Sequence, residues 1–343
     1  MIKRKINSIK NLFLLKNYTK RMKRILSILS LLLFITACDD GKLTVDAIDF
    51  SDVAAQKCSD KDVIYKVKDS EMLFIEIPAT TFIEDETPTD PIEVPIEVPI
   101  NSTNKVTYRK YNGTVSADNI CPTVPDATPN LTEEWHATAG TIQITSTAIR
   151  TTVGTSNATR ISGYKYYIVL KNVTFEKPSG TQVYETFIFG NYTASVIHPL
   201  AFGFDDQLDK STCSGDNRIF NFNGSESLIL DVTDFTTLFA STPTTTPRTA
   251  LIDANHKLTY KLFSNAITNS YFCSLPAPTT PTLTQQWNAV NGVVATSGII
   301  EVSTTSLGAA FQHTIHLKNV TLQKGNSTFS LGDDYIYGIL VTN

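Results

Sequence analysis

The sequence predicts an all-β protein: two tandem, homologous β-sandwich domains of Greek-key or immunoglobulin-like topology, preceded by an N-terminal signal helix. Three observations predict it. Short runs rich in β-branched and aromatic residues recur along the chain between turn dipeptides. No segment beyond residue 37 carries a long apolar period of 3.6 residues. The second half of the chain repeats the segments of the first.

The N-terminus is set apart from the fold. Residues 1–37 carry nine Lys and Arg and no acidic residue, and Ile25 to Thr36 is an uncharged apolar run. About a dozen residues fall short of the ~20 that span a bilayer. A basic segment, a short apolar segment and a small residue before Cys38 have the form of an export signal. Met22 opens a signal of more usual length, so residues 1–21 are either a long basic region or an upstream start. Ile35-Thr36-Ala37-Cys38 resembles the lipobox of bacterial lipoproteins. That resemblance implies cleavage before Cys38, acylation of its thiol and attachment to a membrane. The predicted order is a signal peptide over 1–37, a polar tether over 38–48, one unit over 49–200 and a second over 201–343.

Removing residues 1–37 leaves 20 basic against 33 acidic residues, a formal charge of −13. Nucleic acid is excluded as a partner on this ground, because phosphate binding requires clustered Lys and Arg.

The repeat sets the domain boundaries. Cys121 begins CPTVPDATPNLTEEWHATAG and Cys273 begins CSLPAPTTPTLTQQWNAVNG. YYIVLKNVTFEK at 166–177 matches HTIHLKNVTLQK at 313–324, and ETFIFG at 185–190 matches DDYIYG at 333–338. Upstream, CSDKDVIYKVKDSEMLFIEI from Cys58 resembles CSGDNRIFNFNGSESLILDV from Cys213. The separation drifts from 155 to 152 to 147 residues, which places insertions in loops.

Within each unit the strands follow in order. VIYKVK, EMLFIEI, VTYRKY, TIQIT, KYYIVL and ETFIF read as strands of the first. Asp85 to Thr103, with Pro-Ile-Glu-Val written twice, reads as an extended Pro-rich loop whose counterpart is Ser241 to Thr249. In 166–177 the apolar parity switches: Ile168 and Leu170 share one face, while Val173 and Phe175 follow with opposite parity. Ile315 and Leu317, then Val320 and Leu322, repeat the switch. A strand that changes parity needs a bulge or an end, predicted here at Lys171-Asn172 and at Lys318-Asn319. Pro178-Ser179-Gly180 and Gly325-Asn326 then read as hairpin turns.

Setting Cys38 aside leaves Cys58, Cys121, Cys213 and Cys273. An even number in an exported chain suggests disulfides, and the duplication favours Cys58–Cys121 and Cys213–Cys273. Trp135 and Trp287, the two tryptophans, occupy equivalent positions. They are candidate ring platforms for a sugar, although a core anchor suits a sandwich better. Asp205, Asp206 and Asp209 are a weak candidate for calcium, lacking the spacing of a calcium loop. His313 and His316, three apart on a strand, face opposite ways and make a poor metal pair.

No G-x-S-x-G, H-E-x-x-H or Gly-rich phosphate loop occurs, and no cofactor is implied. The start Cys38-Asp39-Asp40 and the Thr- and Asn-rich β repeats resemble surface lipoproteins of the Bacteroidota. This resemblance implies an outer-membrane location with display at the surface. The function expected is non-catalytic binding or adhesion toward a glycan or protein. The alternatives are an envelope hydrolase with a carboxylate site and a structural subunit of an outer-membrane complex.

Overall fold

The computed structural model describes residues 47–210, 216–274, 276 and 278–343. The signal region, Cys38 and most of the tether lie outside the described residues, as does Cys213. The chain divides into Met1–Asp49, of which only 47–49 are described, and a compact unit Phe50–Asn343. That second unit contains both repeated stretches and is all-β, with antiparallel pairing between its named strands.

In the N-terminal half one sheet runs in the order β1 (Gln56–Lys57), β2 (Val63–Lys68), β3 (Glu71–Glu76), β5 (Lys105–Tyr111), β6 (Leu131–Val153), β7 (Ala158–Lys177) and β8 (Gly180–Ser195). β4 (Ile96–Pro99) pairs with β6 off this path. The sequence leads one to expect only short strands here. β6 and β7 instead run for 23 and 20 residues, because each passes through a bend and continues. β6 pairs with β5 before the bend and with β4 after it.

The C-terminal half divides the same course between two sheets. One runs β18 (Ser327–Ser330), β17 (Thr321–Lys324), β14 (Leu283–Ala289), β13 (His256–Phe263), β11 (Glu226–Val232), β10 (Arg218–Asn223) and β9 (Asp209–Lys210). The other runs β12 (Arg248–Leu251), β15 (Ile299–Leu307), β16 (Ala310–Lys318) and β19 (Asp334–Thr342). The buried Tyr337 hydroxyl of β19 donates toward Ile219 O of β10 and Leu228 O of β11, at 2.7 and 3.0 Å, tying one sheet to the other.

The parity switch falls where the sequence places it. Asn172 has φ +50°, and the β6–β7 register shifts between Ala139 and Thr141. Asn319 has φ +51° just after β16 ends at Lys318. Asn tolerates this left-handed conformation better than most side chains. Opposite Asn172, Gly140 brings the backbones together: a Cβ there would lie 2.8 Å from Val173 Cα.

The Pro-rich loop differs from expectation. Its second Pro-Ile-Glu-Val enters β4, with Val98 and Ile100 buried. Ile96, Val98 and Ile100 alternate with polar or proline positions, and a short edge strand tolerates proline. The Ser241 to Thr249 stretch likewise runs into β12, at Arg248.

Both faces of β2 and β3 are buried. One is covered by the segment up to Cys121, and its cluster includes Cys58, Val63, Tyr65, Phe74, Val115 and Ile120. Cys58 and Cys121 form a disulfide across 63 residues. Phe220, Ile229, Phe263, Ile267 and Phe272 form the corresponding cluster before Cys273. Cys273 is also disulfide-bonded.

The two halves interlock. The Asp85 carboxylate, from the loop before β4, sits in the β17–β18 turn: Oδ1 accepts from Asn326 N at 2.9 Å and from Ser327 N and Oγ at 2.8 Å. Arg150 of β6 pairs with Glu86 and donates from Nε to Thr328 O at 2.7 Å. Asn157, in the β6–β7 turn, donates to Asp333 Oδ2 at 2.7 Å.

Candidate functional site

The tryptophans are core side chains. Trp135 and Trp287 are 1% and 2% exposed, which removes both as ring platforms for a sugar. Each indole N–H donates to the side chain two residues earlier, Glu133 at 2.7 Å and Gln285 at 3.0 Å. Lys177 and Lys324 cover the two rings from above. A Trp needs large apolar contact and a partner for its N–H, and both positions supply them.

The three aspartates of the connecting segment do not converge. Asp205 Oδ1 accepts from Gln207 N at 3.0 Å in a local turn, and Asp209 Oδ2 accepts from Asn269 at 3.1 Å. Among the described residues no group of three or more His, Cys, Asp and Glu side chains is placed to hold a metal ion. His313 is buried between the Thr304 and Thr342 hydroxyls, at 2.8 and 2.9 Å, and His316 is outward on Asp334 at 2.7 Å. The two histidines therefore lie on opposite faces of β16, as their spacing requires.

The feature that stands out is the outward face of β6, β7 and β8 in the N-terminal half. Strand alternation directs Tyr166, Ile168 and Leu170 into the core and leaves Tyr167, Val169 and Lys171 outward. On β8, Phe187 and Phe189 go inward, so Thr186 and Ile188 face out. Tyr167 is 38% and Ile188 59% exposed. They line two adjoining depressions. One, of about 330 Å³, also includes Glu93, Gln143, Lys171 and Thr186. The other, of about 650 Å³, reaches Ser51–Ala55, Gly190, Asn191 and Thr193. Lys171 Nζ donates to Thr186 Oγ1 at 3.0 Å on the same face.

The corresponding face of the C-terminal half has other chemistry. Thr314, His316, Lys318, Glu301 and Asp334 stand where Tyr167, Val169, Lys171, Gln143 and Thr186 stand in the first. His316 and Lys318 both bond Asp334, at 2.7 and 2.6 Å, and Lys318 lies 3.7 Å from Glu301. The Asp334 carboxylate holds the Lys318 ammonium above its ordinary range. One face offers an aromatic ring, Tyr167, and hydrogen-bonded Lys171 and Gln143, and both faces keep an exposed isoleucine, Ile188 and Ile336. The other satisfies its charges internally.

A third depression, of about 390 Å³, gathers Glu86, Asp90 and Glu93 beside Ser146 and Asn326. Glu86 is committed there to Arg150 and to the Ala148 amide, at 3.1 Å from the latter.

Sequence reasoning passed over Tyr167 and Ile188. The available signal was the difference between aligned positions: Tyr against Thr, and Gln against Glu, on strands otherwise alike. Among the described residues no helix is long and apolar enough to cross a membrane. No family model, curated protein or solved structure matches the chain.

Proposed function

We propose that this chain is a lipid-anchored protein of the cell envelope whose anchored part is a non-catalytic binding or adhesion module, made of two tandem copies of a β-sandwich unit. Support for duplication comes from the matching courses of the halves: β4 on β6 corresponds to β12 on β15, and each long strand of the first half corresponds to two strands of the second. Support for anchoring comes from Ile35-Thr36-Ala37-Cys38 after the basic and apolar segments. The acidic mature chain suits a domain held off an anionic surface, with display on the outer membrane.

The single observation that carries the binding reading is the exposed Tyr167–Ile188 face between two depressions. An aromatic and an aliphatic side chain beside concave ground with a few polar groups have the composition of a ligand site. Its counterpart, closed by ion pairs, supports different roles for the two copies.

The test has two arms. Cells expressing the chain are labelled with palmitate and treated with external protease; label on the wild type and none on Cys38→Ser is expected, with the protein shaved from intact cells. The purified chain is then screened on glycan and matrix-protein arrays beside Tyr167→Ala and Ile188→Ser. Binding lost in both variants with unchanged melting supports the reading. An array without any hit, or hits indifferent to both substitutions, refutes it.

A further inference from the structure

Among the described residues β8 ends its sheet, and its edge has an internal precedent for what covers it. β19, its counterpart, is an edge strand whose free side is taken by the chain itself. Ile339 N donates to Asp206 O at 2.7 Å and Leu208 N donates to Ile339 O at 3.0 Å, forming a parallel bridge between Gln207 and Ile339. Leu208 is buried against Gly338, where a Cβ would lie 2.8 Å from Leu208 Cγ. The segment is fastened at its start by Asn221 Nδ2, which donates to Asp205 O at 2.7 Å.

The N-terminal half begins the same construction and leaves it unfinished. Lys66, aligned with Asn221, donates from Nζ to Phe50 O at 3.0 Å, and Phe50 is aligned with Asp205. From there the paths part. Residues 51–53 turn back, with Val53 N donating to Phe50 O at 3.2 Å. The register shows the slack that permits this turn. Gln56 pairs with Tyr65, six residues after Phe50, whereas Asp209 pairs with the aligned Phe220 only four residues after Asp205.

Asn191 occupies the position of Ile339 and pairs with Tyr167 as Ile339 pairs with Thr314. Its backbone N–H and C=O therefore point away from β7, toward the 650 Å³ depression bounded on its far side by Ser51–Ala55. At Gly190, with φ +104°, a Cβ would lie 3.1 Å from Lys66 Nζ, so the buried Lys66 side chain stands where Leu208 stands over Gly338.

We propose that the groove along β8 at Gly190–Thr193 takes an extended segment of a partner polypeptide, added as a parallel strand at Asn191. The recognition chemistry is that of strand addition: a backbone donor and acceptor at one residue. Exposed Tyr167 and Ile188 flank the incoming strand. The occupant is argued from the chain's own use of the equivalent groove, which holds polypeptide backbone and a leucine. This proposal rests on the binding reading above and names its partner class.

The test uses the full chain and a synthetic peptide of residues 203–210, Gly-Phe-Asp-Asp-Gln-Leu-Asp-Lys, the sequence that fills the equivalent groove. Amide hydrogen exchange is followed by mass spectrometry. Bound peptide is expected to slow exchange about fivefold in the segment containing Asn191 and Thr193. Asn191→Pro removes an outward N–H that β7 does not use, so it should fold with unchanged melting and lose the peptide. Equal exchange with and without millimolar peptide, or protection that survives in Asn191→Pro, overturns the proposal. So does a dimer whose β8 is already protected without peptide, which assigns the edge to a second copy. A failure here with Tyr167-dependent array binding retained removes the strand partner alone; a loss of array binding with peptide protection intact removes the surface reading alone.

Discussion

Asp85 and Ser327 lie 242 residues apart in sequence, and the Asp85 carboxylate accepts from both the Ser327 amide and its hydroxyl at 2.8 Å. Asn326 N adds a third donor at 2.9 Å to the same oxygen. Successive amides aimed at one anion make a concavity that a carboxylate fills well. The Gly325 turn permits this approach, since it has φ +58° and a Cβ there would overlap the carboxylate.

Asp85→Ala is expected to destabilise the chain by about 2–4 kcal/mol, because it strands several donors that a charged acceptor had satisfied. Gly325→Ala alone should cost a similar amount, through overlap and a left-handed backbone. In the double variant the overlap is gone, so the combined loss should fall short of the sum. Urea denaturation of the four proteins measures this coupling.

Breaking Cys58–Cys121 by replacing both cysteines with serine should lower stability by about 4 kcal/mol, the loop-closure term for a ring of this size. Reduction of the wild type should cost more, because it also opens the disulfide at Cys273. A denaturation midpoint indifferent to reductant would contradict the prediction.

Trp135→Ala and Trp287→Ala should each cost about 3–5 kcal/mol, as large buried aromatics do. Trp287→Phe keeps most of the volume and should leave ligand binding untouched. Reduced affinity in a Phe variant whose melting is unchanged would return the tryptophans to the ligand site.

His313 carries a pH dependence. Burial, then the nearby Arg248 guanidinium, push its pKa below the ordinary value near 6.5. The folded chain therefore resists protonation that the unfolded chain accepts. The contribution is complete above pH of about 6.5 and is lost as pH falls from there through the folded value. The wild type should lose more stability between pH 7.5 and 5 than His313→Gln does, read as the shift in urea midpoint. Equal shifts in the two proteins would exclude this role.

Much of the fold was legible because its signals are local. The parity switch at Lys171-Asn172 and at Lys318-Asn319 could be read from alternation alone, and the left-handed asparagines lie there. The Cys58–Cys121 pair followed from repeat arithmetic. β4 escaped notice because two prolines masked three alternating apolar residues. The interlock at Asp85 was out of reach, since nothing near Gly325 in sequence records a carboxylate from the other half. The Tyr167–Ile188 face was hidden for another reason. Exposed aromatics and buried ones look alike until strand pairing fixes which side faces solvent, and the bulge beyond Ile188, at Gly190, shifts that phase.

Asn157 and Asp333 join across 176 residues of chain. A ribosome delivers the N-terminal partner long before the C-terminal one. The β6–β7 hairpin must therefore stand with its tip unclasped while the second half is still being made. Contacts of such long separation close late and slowly. The stretch from Gly325 to Asp333 is then a clasp on the earlier half, and a chain truncated before it would be left open along this seam.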